Sequence, residues 1–144
     1  MKDKFQKLPC SRITDVIISA YYKTLDALGT VRGTPERVFC SEIAARIREA
    51  GLRVEIGKVI EVRTHGKVID TASIDIVVDG LVVVCIKKVL KLTTLHFAKG
   101  TYHMEVGGYP AGLMFNYSDK ERKPNHLVAP RHYRKGSWPC LSSN

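Results

Sequence analysis

The sequence has no unbroken run of about 18–20 apolar residues, the length a membrane-spanning helix requires, so an integral helical membrane protein is not expected. It has no Cys-x-x-Cys pair. Cys10, Cys40, Cys85 and Cys140 are scattered along the chain, which argues against a zinc ribbon, a redox dithiol or a disulfide framework. Four reduced, unpaired thiols are expected instead, and with them an intracellular compartment. The N-terminal stretch MKDKFQKLPCSRITD is basic but holds Asp3 and Asp15 and lacks a continuous apolar segment. No secretory signal is read there, and a mitochondrial presequence would carry fewer acids; uncleaved internal targeting stays open. Internal repeats are missing too. Acidic charge is scarce: 14 Asp+Glu stand against 23 Lys+Arg, a formal net charge of +9. That balance favours polyanionic neighbours such as RNA, DNA or an anionic lipid surface without choosing among them.

What remains is an ordinary globular composition, 44% hydrophobic over 144 residues, enough for a single core without covalent staples. Over 11–28, Ile13, Val16, Ile17, Ala20, Tyr21, Leu25 and Leu28 recur at steps of three and four, which predicts an amphipathic helix ending at Gly29. Pro35 opens a second helix with Phe39, Ile43 and Ile47 on one face and Gly51 as its stop. A β region follows, read as four strands: 54–62, 67–72, 73–78 and 81–86. Thr64-His65-Gly66 turns the first pair, and Asp79-Gly80 is a two-residue hairpin signal for the last. The run 81–86 has no polar alternation, so it is placed as a strand buried on both faces. Thr93 or Thr94 caps a third helix that Gly107-Gly108 ends. Strands at 111–117 and 126–129 flank a charged turn at 120–124. The fold class expected is α/β, a mixed central sheet with helices packed on it.

The last residues, 131–144, are basic and aromatic without periodicity, so the division expected is one domain over 1–130 and an extended C-terminal tail. Arg131, Arg134 and Lys135 around Tyr133 and Trp138 suit either a phosphate-contacting tail or a protein-docking one, with Trp138 as the anchor. His126, His132 and Cys140 match no zinc-ligand spacing.

Three segments taken together resemble one family. Gly33-Thr34-Pro35-Glu36-Arg37-Val38-Phe39 is similar to a G-x-x-E-x-x-Y signature with Phe in place of Tyr. Asp75, nine intervening residues and then Cys85-Ile86-Lys87 resemble the Asp and E-x-K pieces of a nuclease core. Tyr109-Pro110-Ala111-Gly112-Leu113-Met114-Phe115-Asn116-Tyr117 is similar to the strand that follows them. In this order and spacing they resemble the GxxExxY proteins, a branch of the PD-(D/E)XK nuclease superfamily, over about residues 13–128. The resemblance implies a restriction-endonuclease-like fold. It also implies an Asp and a Glu holding Mg²⁺ and a Lys that polarises water, which a hard, oxygen-seeking cation makes chemically coherent. Carried over by position, Asp75 is the metal Asp, Lys87 the catalytic Lys and Glu36 an additional carboxylate.

The departures weigh against that chemistry. Cys85 stands where the metal Glu belongs, and a thiol serves Mg²⁺ poorly. Lys99 replaces a helix Gln and His103 a Tyr. Each position also has a plain reading: Asp75 as the polar end of a strand, Cys85 as packed core, Glu36 as a partner of the helix dipole, and Lys87, Lys88 and Lys91 as a solvated basic edge. The function expected is a degenerate, non-catalytic nuclease-fold domain with vestigial Asp75, Lys87 and Glu36. It would need no cofactor and act as a basic accessory subunit beside other proteins. An organellar ribonucleoprotein on the mitochondrial matrix side is the first assembly considered, a respiratory-type membrane complex the second. RNA or DNA would meet Lys88, Lys91, Lys99, Arg131, Arg134, Lys135 and Trp138. The alternatives are an Mg²⁺-dependent nuclease and a free-standing nucleic-acid binding module. With the metal gone, an Asp75–Lys87 ion pair with Lys99 at its mouth is expected to fill the old cleft.

Overall fold

The computed structural model describes residues 10–28, 33–117 and 122–128. The proposed tail, with Arg131, Arg134, Lys135 and Trp138, lies outside the described residues. Element order is α1 (Ser11–Leu28), α2 (Glu36–Glu49), β1 (Val54–Thr64), β2 (Lys67–Val78), β3 (Val82–Lys87), α3 (Thr94–Gly107), β4 (Ala111–Asn116) and β5 (Asn125–Leu127). The strands form one sheet in chain order; β3 and β4 run parallel and every other neighbouring pair is antiparallel. This is the expected α/β architecture, a mixed sheet with flanking helices.

Strand alternation sorts the core onto two faces. On β3, Val82, Val84 and Ile86 point to one side, where α1 and α2 supply Ile17, Tyr21, Phe39, Ile43 and Ile47. Val83 and Cys85 point to the other, joining Met104 of α3 with Met114 and Leu127. Two aromatic stacks lock the first side: Tyr21 on Phe115 at 4.0 Å between ring centroids, and Phe39 on Tyr117 at 4.1 Å. Phe39, at the signature's Tyr position, is therefore core. The Tyr117 hydroxyl donates to the Thr34 carbonyl at 2.6 Å and ties the loop before α2 to the end of β4.

Two expectations are corrected here. Segments 67–72 and 73–78 are not separate strands: β2 is continuous over twelve residues, because no turn residue stands between Ala72 and Ser73. What happens instead is a bend. Gly57, at φ 69°, faces Asp75, and both drop out of the β1–β2 ladder between the pairs Ile56↔Ile76 and Lys58↔Ile74. Across that bend Ile76 packs with the α1/α2 side while Ile74 packs with the α3 side. The cysteines are not all unpaired either. Cys10 is disulfide-bonded, whereas Cys40 and Cys85 are free; separation along the chain sets no limit on which cysteines a fold brings within bonding distance.

Candidate functional site

The site lies where β2 peels away from β3. Their ladder has only three pairs, ending at Ile76↔Val84, so the next β3 amides on that side have lost their strand partner. Side chains replace it. The Ile86 N–H donates to Asp75 Oδ2 at 2.8 Å, and the Lys88 N–H donates to Glu36 Oε2 at 2.9 Å. On the opposite edge the Val89 N–H donates to Asn116 Oδ1 at 3.1 Å. Two carboxylates from distant parts of the chain thus terminate one strand, Asp75 at a part-buried amide and Glu36 at an exposed one.

The wedge left by the parting strands is a cavity of about 190 Å³. Ser73 and Asp75 line it from β2, Cys85 and Lys87 from β3, Met114 from β4, and His96, Lys99, Gly100 and His103 from α3. Gly100 explains how α3 comes so close. A Cβ built there would stand 2.7 Å from Leu127 Cδ1, 3.2 Å from Met114 Cε and 3.6 Å from Cys85 Sγ, so the missing side chain lets the helix settle on the sheet without displacing those side-chain ends. Once it has settled, steps of three and four residues along α3 carry His96, Lys99 and His103 over the cavity. The Thr93 N–H donates to His96 Nδ1 at 2.9 Å, which leaves the proton of the neutral ring on Nε2. His103 is 7% exposed, and its buried Nδ1 has no hydrogen-bond partner.

The electrostatics follow from this crowding. Cys85, 5% exposed, has its thiol pushed up to about 12, first by burial and then by the Asp75 charge, with Lys87 and Lys99 acting the other way. Cys40, behind the sheet on α2, also rises to about 12, from burial and then from Asp75 and Glu36. Both thiols are protonated at neutral pH. His103 is held below the ordinary histidine range, first by burial and then by Lys99, so its ring is neutral there.

Asp75, Cys85, Lys87 and Lys99 therefore share one cavity. Glu36 does not line it but holds the neighbouring amide. Lys88 is half-buried and Lys91 exposed, both beyond the end of β3. The expected Asp75–Lys87 ion pair is not formed. Among the described residues the ion pairs are Arg46–Glu42, Arg53–Asp79, Lys58–Glu55 and Arg63–Glu61, and no lysine nitrogen comes within 4.0 Å of an Asp75 oxygen. The reason is the Ile86 amide, which fixes the carboxylate against β3. His96 and His103 were not singled out as site residues; their signal was the helical spacing with Lys99 around Gly100.

Magnesium seeks several hard oxygen ligands. The cavity offers one carboxylate, already bonded to an amide, together with a neutral buried thiol and imidazoles. Among the described residues no group of three or more His, Cys, Asp or Glu side chains is arranged to hold a metal ion. These residues do not fit Mg²⁺. In comparison with known proteins, the family model of the PD-(D/E)XK nuclease superfamily matches residues 11–127. No curated protein and no solved structure matches the chain.

Proposed function

The chain belongs to the PD-(D/E)XK nuclease superfamily, and we propose that it is a non-catalytic member, a basic nuclease-fold domain of the GxxExxY type that serves as an accessory subunit of a nucleic-acid-containing assembly. One observation carries the reading. The position that should supply a second metal carboxylate is Cys85, whose thiol is buried and protonated at neutral pH. A neutral sulfur neither attracts nor ligates Mg²⁺ as a carboxylate oxygen does. Lys99, a cation added to the lining of the same cavity, disfavours a divalent cation further. The excess of 23 basic over 14 acidic residues supports a polyanionic partner, with ribonucleoprotein ahead of membrane complex. Among the described residues no helix is long and apolar enough to cross a membrane.

The test is cleavage of labelled single- and double-stranded DNA and RNA with Mg²⁺ or Mn²⁺. Wild-type protein should leave all of them intact, and Cys85→Glu should gain Mg²⁺ affinity. Wild-type cleavage that disappears in Asp75→Asn would overturn the reading. A second reading, a nuclease using Asp75 and Glu36 as its carboxylates, draws on their holding alternate amides, those of Ile86 and Lys88, along one edge at the end of β3. In that case cleavage would also require Glu36.

A further inference from the structure

We propose that the cavity between β2, β3 and α3 binds a phosphate group, free or at the end of a larger molecule, in the place where the fold would otherwise hold a metal. The inference rests on the non-catalytic reading in one respect, that no divalent cation competes for the cavity. It starts from charge. Asp75 contributes one negative charge and Lys87 and Lys99 two positive ones, so the carboxylate and the two ammonium groups sum to +1. A cavity with that sum attracts an anion. Neither lysine is ion-paired or hydrogen-bonded through its side chain among the described residues, so both ammonium groups have donors to give. His96 adds an Nε2–H, because its Nδ1 already accepts from Thr93.

His103 is the independent sign that a ligand belongs here. It lines the cavity, is more than nine-tenths buried, and has a ring nitrogen without a partner. A buried polar group left in that condition costs about 1–3 kcal/mol unless something satisfies the ring. The cavity's 190 Å³ is room for about six waters at ~30 Å³ each, so a tetrahedral oxyanion fits with water to spare.

Asp75 then decides which oxyanion. Its Oδ2 is taken by the Ile86 amide, while Oδ1 has no partner among the described residues and acts only as an acceptor. A fully deprotonated anion meets repulsion there. Inorganic phosphate keeps at least one proton at neutral pH, and a terminal phosphate monoester keeps one for part of the time; that P–OH donates to Asp75 while the other oxygens take the lysine and histidine donors. Sulfate has no proton to give. The arrangement therefore selects phosphate over sulfate.

The experiment is calorimetric titration of the whole chain at pH 7, in EDTA and at fixed ionic strength, with sodium phosphate and sodium sulfate in separate runs. Phosphate should bind at one site per chain and sulfate about tenfold or more weakly, the scale of one charge-assisted hydrogen bond. Lys99→Met, at an exposed side chain, should weaken phosphate about tenfold or more without moving the ligand-free melting temperature. Asp75→Asn should bring phosphate and sulfate to similar affinity. Short oligonucleotides with and without a terminal phosphate separate the sources. Competition only by the phosphorylated ones identifies a nucleic-acid end, and none by either identifies free phosphate. Equal binding of phosphate and sulfate by wild type, or a Lys99→Met variant that binds as wild type does, overturns the proposal. That failure, with cleavage still absent, would leave the non-catalytic reading intact; Mg²⁺-dependent cleavage would remove the non-catalytic reading itself.

Discussion

Asp75 is expected to be a stability residue before it is anything else. Replacing it with Ala removes the acceptor for the Ile86 N–H, a 2.8 Å bond to a charged oxygen beside a side chain that is 0% exposed. β2 has already moved away, so no backbone group replaces the carboxylate, and water from the adjoining cavity replaces it only in part. A hydrogen bond to a charged group contributes about 1.5–3 kcal/mol, and a loss of about 2 kcal/mol is expected here. For a chain of this size that corresponds to a fall of roughly 4–8 °C in melting temperature. Asp75→Asn keeps an acceptor oxygen and loses only the charge. Because Asp75 makes no ion pair, its cost should stay near 1 kcal/mol or less, in line with the weaker neutral bond. Glu36→Ala provides the contrast: the Lys88 amide it serves is more exposed and water can take over, so the loss should be below about 1 kcal/mol. Urea melts of the three variants at pH 7 measure all of this by linear extrapolation. The reasoning fails if Asp75→Ala lies within about 0.5 kcal/mol of wild type, or if Asn is no better than Ala.

The two free thiols should make stability fall in alkali. Each is shifted by folding from 9.0 to about 12, so the protons they keep in the folded chain are lost from the unfolded one above pH 9. This stabilisation is complete below pH 9 and declines by at most about 1.4 kcal/mol per thiol per pH unit as pH rises towards 12. Urea midpoints at pH 7, 9 and 10 should fall with pH, and with a shallower slope in a Cys40→Ala/Cys85→Ala variant. Gly100→Ala should be nearly neutral, because a helix-propensity gain of about 1 kcal/mol offsets the shift demanded of Leu127 Cδ1 and Met114 Cε. Gly100→Leu has no space between α3 and the sheet and should cost about 1–3 kcal/mol in the same melts. An unperturbed Gly100→Leu would contradict the close helix–sheet approach.

Much of the fold was legible because its boundaries carry local chemistry. Pro35 precedes α2, Thr93 caps α3, and Gly108 ends it in a left-handed conformation. The apolar run of β3 announced burial on both faces, and its residues from Val82 to Ile86 are all buried. The division of β2 into two strands failed because the bend at Asp75 depends on Gly57, eighteen positions away on the partner strand, and strand pairing is not a local property. Motif spacing placed Asp75, Cys85, Lys87 and Lys99 around one cavity. It could not fix the atoms within it, since a carboxylate held by an amide stays with that amide and not with the nearest lysine. The sequence does not mark His96 and His103 as cavity-lining residues, for a related reason. Their spacing has meaning only once Gly100 is seen pressed towards Cys85.

The two carboxylates connect fold and chemistry. On one edge of β3, Val84 faces Ile76 in the β2 ladder, the Ile86 amide is taken by the Asp75 side chain, and the Lys88 amide by Glu36. The strand's donors pass from backbone to side-chain acceptors exactly as long as the neighbouring strand is missing. A wedge between two parted strands is what creates a cavity, and acceptors at its walls are what keep the wedge from costing buried, unsatisfied amides. Asp75 and Glu36 therefore have work in this chain that needs no metal. Position 85 has no such duty: its side chain serves no β3 amide, and a thiol fills core space there. A substitution at 85 can abolish metal affinity without loosening the strand, whereas one at 75 cannot. The same logic admits cations at 99. Lys99 is exposed on α3, bonds to nothing in the sheet, and takes the charge of the cavity's carboxylate and ammonium groups from zero to +1 while leaving its walls in place.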